Sequence, residues 1–201
     1  MAKGRSDLIL RDRLQFVPDA SGNQTTVYGR FDLSDFVSTL ERKGLSIKEV
    51  NIMLRDSNAG NTGNFSFSQG DDSNVSAFDV SRSQLKVYAT TRAYENAADV
   101  GIASPDVLHV EQWTTYLGPR SDAGPPAGGS IYLHSDHYVF PVENLHPDGY
   151  PVVTDLLIGV AMDNWTLAQS KTLEMDVMLV AEPITISQKQ LTEMLVQGQD
   201  Q

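Results

Sequence analysis

The stretch "GLSIKEVNIML", residues 44–54, decides the class of fold. Leu45 and Ile47 share one parity; Val50, Ile52 and Leu54 share the other. Successive side chains of a strand point to opposite faces, so an apolar residue at every second position marks a strand with one face in a core. The phase slips at Lys48-Glu49. One extra residue in a strand produces such a slip, so a β-bulge is expected there.

The same period of two runs outward from this segment. Leu8, Leu10, Leu14 and Phe16 oppose Arg11, Arg13 and Gln15, and Val27, Gly29, Phe31 and Leu33 oppose Tyr28, Arg30 and Asp32. Leu85, Val87 and Ala89 alternate with Lys86, Tyr88 and Thr90; Leu173, Met175, Val177 and Leu179 alternate with Glu174 and Asp176. From Asp106 to Leu117 the chain is rich in Val, Thr, Trp and Tyr, which favour strands. Val152 to Met162 is apolar on both parities and reads as one buried central strand. Between these segments lie turn residues. "PDASGNQ" (18–24) reads as a hairpin-like connection, and 56–74 as a long polar loop with one short strand at Phe65 and Phe67. "SDAGPPAGG" (121–129) is neither helix nor strand and reads as an exposed excursion.

Helix is expected in two places only. "SDFVSTLERKG" (34–44) has Ser34 to cap it and Gly44 to stop it. A C-terminal helix is expected at about 187–198. Ser187 and Gln190 have the capping-box spacing, Leu191, Met194 and Leu195 form an i, i+3, i+4 stripe, and Gly198 ends it. So short a helix is marginal alone in water, so the stripe must dock on its own barrel or on a neighbouring subunit. Leu191, Met194 and Leu195 are thus the candidate assembly residues.

The chain has 201 residues, 40% hydrophobic and 20% charged, which suits a single globular sandwich. No compositional shift marks a domain boundary, so residues 1–201 are read as one domain with an N-terminal segment, 1–7, before the first strand. There are no cysteines, which removes disulfides, thiolate metal sites and a cysteine nucleophile. Net charge is −11, and Asp outnumbers Glu. Such a chain repels phosphate backbones, and its one basic cluster, Lys3, Arg5, Arg11 and Arg13, is interrupted by Asp7 and Asp12. No sequence-specific binding of nucleic acid is expected. No apolar run reaches the roughly 20 residues of a membrane span, and "MAKGRSDLIL" has no signal-peptide core.

The segment that most suggests chemistry is "SIYLHSDHYVF" (130–140). It is similar to the first cupin motif over "GGSIYLHSDHYVFPVENLHPDG": Gly128 precedes His134 by the right distance, and Glu143 and Gly149 follow. That motif implies a metal held by two histidines separated by one residue. Here His134 and His137 are separated by two. On a strand they point to opposite faces, so they cannot share a metal unless the strand breaks between them. A later histidine, as in the second cupin motif, is also missing. His109 and Glu111 share a face with Trp113 next along it, which reads as a satisfied or interfacial face or as a small binding patch. Trp113 and Trp165 can be core anchors or sugar-stacking platforms. No nucleophile elbow, Walker loop or dinucleotide fingerprint occurs. No catalytic residue, cofactor, metal or small-molecule substrate is expected.

Eight or nine strands, connections of unequal length and little helix give an all-β chain, a jelly-roll-like antiparallel sandwich with a short C-terminal helix. In architecture and composition the chain resembles the small single-jelly-roll major capsid proteins of tailless icosahedral double-stranded DNA viruses of halophilic archaea and their bacterial relatives. The resemblance implies a structural protein of the virion, made in the host cytoplasm. Its partners would be copies of itself or a related capsid subunit, and a lipid layer beneath the shell would be compatible with it. The rival readings are a carbohydrate-binding β-sandwich module and then a cupin-like metalloenzyme.

Overall fold

The computed structural model describes residues 7–67, 81–119 and 131–197. The expectations for the N-terminal residues 1–6, for residues 68–74 of the long polar loop, for the whole 121–129 excursion and for Gly198 lie outside these residues. One inner strand of the first sheet is β3 (Lys43–Asp56), which contains residues 44–54. Its pairing with β9 (Leu173–Thr185) shifts register between Ile47 and Glu49. Lys48 is therefore the extra residue. Leu45 and Ile47 before it, and Val50 and Leu54 after it, all reach the core. The bulged Lys48 pairs with Asp7 (Nζ–Oδ1 2.7 Å) and with Glu182.

On one side of β9 lies β1 (Leu8–Phe16), and on the far side of β3 lies β7 (Tyr150–Val152). This gives a four-stranded sheet in the order β1-β9-β3-β7. The facing sheet has β2 (Gln24–Phe31), β8 (Leu156–Asp163), β4 (Ser81–Thr90), β5 (Val107–Pro119) and β6 (Ile131–Phe140), in the order β2-β8-β4-β5-β6. Every pairing is antiparallel. Set β6 aside, and the other eight strands pair as β1 with β9, β2 with β8, β3 with β7 and β4 with β5. An eight-stranded roll folded from a long hairpin has this nesting, which is the jelly roll. β6 is a ninth strand added to one sheet.

Core residues from both sheets form one cluster, including Leu45, Ile47, Leu85, Val87, Ile158, Leu173, Met175 and Trp165. The outer face of the five-stranded sheet carries a second, smaller cluster. There Tyr88, Val107 and Val110 meet Ala97 and Val100 of the β4–β5 connection. Gly159 makes this possible, because a Cβ at that position would overlap the Tyr88 ring. Tyr88 donates to the Tyr28 hydroxyl (2.8 Å), and Tyr28 Oη accepts from Tyr94 N (2.7 Å). Lys86 donates to the carbonyls of Ala97 and Val100. These contacts hold the connection flat against the sheet.

Three local expectations are corrected. Residues 34–44 form no helix. Asp155 Oδ1 accepts from Leu33 N (2.8 Å), and the chain then turns through a Ser38–Lys43 bridge with Arg42 at φ 57°. Phe36 and Val37 pack against the core, while Leu40 is 96% exposed, so the three do not share one buried helical face. Val152 to Met162 is two strands in two sheets. β7 ends at Val152, and the chain crosses through a bend at 153–155 to begin β8 at Leu156. Phe65 and Phe67 reach the core from a turn beside an isolated Arg55–Asn64 bridge, without forming a strand.

Candidate functional site

The 130–140 segment is a continuous strand from Ile131, in register with β5, so His134 lies opposite Tyr116 and His137 opposite Trp113. The two histidines stand on opposite faces, as strand parity requires. His134 stacks beside Tyr116, with centroids 6.2 Å apart, and its Nε2 lies 2.9 Å from Asp136 Oδ1. His137 belongs to the other, core-facing side.

On that side β5 and β6 bring together a polar array that neither strand shows alone. His109 Nε2 is 2.8 Å from Glu111 Oε1, and His137 Nε2 is 3.3 Å from Glu111 Oε2. The carboxylate thus bridges two imidazoles. His109 is 2% exposed and Glu111 is 8% exposed. Trp113, next along the same face, stacks on His137 on one side and Phe67 on the other, with centroids 4.6 and 4.8 Å away. The expected grouping of His109, Glu111 and Trp113 is therefore present. The joining of His137 to it depends on cross-strand register, which a single strand's pattern does not contain.

This array closes the open end of the core. Both carboxylate oxygens are engaged and His109 is sealed from solvent, with its Nδ1 left without a hydrogen-bond partner. Among the described residues, no three His, Asp or Glu side chains are arranged to hold a metal ion. Trp165 is 1% exposed and donates from Nε1 to Ser66 O (3.1 Å). Both tryptophans are therefore core anchors, and neither presents a sugar-stacking face.

Two shallow clefts lie on the outer faces. One, of about 480 Å³, lies between β4, β5 and β8 and the turn at Asn96–Ala98. The other, of about 910 Å³, crosses β1, β9 and β3 beside Arg11, Met53 and Met178. In the second, Arg13 donates from Nε to Asp176 Oδ1 (2.6 Å); beside it, outside the lining, Arg55 reaches Glu174 (3.2 Å). Arg13 of the N-terminal basic cluster is thus tied into a charge ladder on the sheet, while Lys3 and Arg5 lie outside the described residues.

The C-terminal helix α1 (Gln188–Gln197) has the expected cap. Gln190 N donates to Ser187 Oγ (3.3 Å), and Ser187 N donates to Gln190 Oε1 (3.2 Å). Of the three stripe residues, Leu191 is buried against Val153 and Ile186, and Met194 packs half-buried beside them. The Leu195 side chain lies outside the described residues. The first turn of α1 is therefore docked on its own protomer.

Among the described residues, β6 is a strand with open apolar side chains. Leu133, Tyr138 and Val139 are exposed on it, and all its side chains described from Leu133 to Val139 are exposed. The core-facing side of β6 is left uncovered because the facing sheet is one strand shorter and its near edge, β7, has three residues.

No protein-family model and no curated protein matches the chain. Among solved structures, a chain in the structure of turnip yellow mosaic virus is similar over 92% of this chain and 99% of its own, with 9% identity and a TM-score of 0.28. The tailspike protein of Acinetobacter baumannii phage AM24 aligns over 91% of this chain and 27% of its own, with 10% identity and a TM-score of 0.19.

Proposed function

We propose that this chain is a structural subunit of a viral shell, assembling with copies of itself or with a related subunit and carrying out no catalytic turnover. The observation that carries the reading is the open edge strand β6 mounted on a jelly roll. The jelly roll is a scaffold used by capsid and lectin domains and by cupins, and function must be argued from what is mounted on it. Here the polar array on the core-facing side is consumed in sealing the core, and the tryptophans are buried. The surface that remains open is a lateral one, a strand added to the edge of the larger sheet with apolar side chains in solvent. Lateral surfaces are what a shell subunit uses to meet its neighbours. On this reading the subunit stands upright in capsomers of a virion, and Met194, half-buried on α1, is the described stripe residue that a neighbour can reach.

The test is assembly. Purified protein examined by electron microscopy and sedimentation, across salt and concentration, is expected to form large regular particles or rings. A chain that stays monomeric at high concentration and high salt, and that binds glycans, would replace this reading with the carbohydrate-binding one.

A further inference from the structure

We infer that the open edge of β6 pairs antiparallel with the same edge of a second copy, about a two-fold axis through Ser135. The inference rests on the self-association in the reading above. Among the described residues no strand lies beyond β6, so every second one of its ten residues turns its backbone donor and acceptor to an open edge. Such an edge is a template for another strand unless something blunts it. The other three edges are each blunted. β1 carries Arg11, Asp12 and Arg13; β7 has three residues, one of them Pro151; β2 has a register shift between Gln24 and Val27. β6 contains no proline, glycine or lysine, and it pairs with β5 without a shift. It is the edge left fit for pairing.

The sequence of β6 selects the partner and the register. In a two-fold antiparallel pair, opposite residues must share a face, so the axis passes through a residue. Centred on Ser135, the pairing sets His134 opposite Asp136 and Asp136 opposite His134 of the second copy. Tyr132 comes opposite Tyr138, Leu133 opposite His137, and Ile131 opposite Val139. Centred on Asp136, two carboxylates would face each other. Centred on His134 or His137, two imidazoles would. Opposite charges across a strand pair stabilise it and like charges oppose it. Of these registers, the Ser135 one alone sets an imidazole against a carboxylate on the outer face. One strand pair is a small interface, suited to contacts multiplied around a shell.

A cysteine scan tests this in a chain that has no cysteine of its own. Directly opposite residues have Cα atoms within disulfide reach. Under mild oxidation, Ser135→Cys is expected to convert to a linked dimer. Leu133→Cys and His137→Cys should each stay unlinked alone but link when the two are mixed. Asp136→Lys should weaken self-association about tenfold. Linking at Leu133→Cys or His137→Cys alone as readily as at Ser135→Cys would overturn the register, and so would a Ser135→Cys protein that never links. Particles that persist while no cysteine placed along β6 links, alone or in a mixture, would sink the β6 pairing and leave the shell reading intact. A Ser135→Cys dimer with nothing larger would uphold the pairing and sink the shell reading.

Discussion

Trp113 and His137 stack face to face across the β5–β6 pair, their planes 8° from parallel. The contact marks where the core ends. Inward of it, Phe67 covers the other face of the indole; outward, Leu133 and Val139 of β6 stand exposed on the same side. An imidazole suits that boundary, since it offers an apolar face to Trp113 and a ring nitrogen to the Glu111 carboxylate. The polar array is thus the seam between a closed core and an open edge.

Glu111 holds that seam, so its removal should be costly. Glu111→Ala leaves His109 buried with neither ring nitrogen bonded, and should lower stability in urea unfolding by about 2–3 kcal/mol. Glu111→Gln keeps the shape and one polar contact and should cost less. Equal effects of the two variants would mean that the carboxylate is not acting as the bridge.

The histidines should not bind metal tightly. The double variant His134→Ala, His137→Ala should leave metal content unchanged, because the two side chains leave the strand on opposite faces. Its stability should fall by about 1 kcal/mol from the lost stack on Trp113. Stoichiometric zinc, iron or manganese in the native protein that disappears in the double variant would restore the cupin-like reading.

How far the fold was legible depends on which forces set each element. The bulge at Lys48, the opposite faces of His134 and His137, and the Ser187–Gln190 cap are local patterns, and each reads directly from residue spacing. The turn at 34–44 was not legible, because Asp155, over a hundred residues away, holds Leu33 and starts the turn. The crossing at 153–155 was hidden for a similar reason. Both sheets need apolar residues there, so composition alone runs through the break. The Glu111 bridge needed the register of β5 on β6, and the nine-strand order needed every pairing at once.

Alkaline pH should unfold the protein through its buried tyrosines. Burial pushes the Tyr88 and Tyr150 hydroxyls above the ordinary tyrosine value of 10.0. The folded state therefore keeps these protons at a pH where the unfolded chain has begun to lose them. The resulting stability is fully present below pH of about 10 and is lost as pH rises beyond it. Burial lowers the Lys86 ammonium from 10.5, which acts in the opposite sense below that value. Comparing Tyr88→Phe with the parent protein cancels the Lys86 contribution. The variant should lose about 1 kcal/mol at neutral pH with its hydrogen bond to Tyr28, and its stability should fall less steeply above pH 10. Identical slopes would remove Tyr88 from the account.

The C-terminal helix separates folding from assembly. Leu191 is 6% exposed and sits with Val153 and Ile186, on the β7–β8 crossing and just after β9. Its burial belongs to the protomer, so Leu191→Ala should cost about 2–4 kcal/mol in unfolding experiments. Met194 is only half-buried at the same cluster, so Met194→Ala should cost the protomer less. If the outer part of the stripe also meets a neighbour, Met194→Ser and Leu195→Ser should reduce particle yield while the unfolding midpoint stays close to that of the parent. Deleting residues 187–201 should then do both, because it strips Val153 and Ile186 of their cover and removes the outer stripe. A deletion variant as stable as the parent but unable to assemble would make α1 an assembly element alone. One that is destabilised yet still builds particles would confine α1 to the protomer's own core.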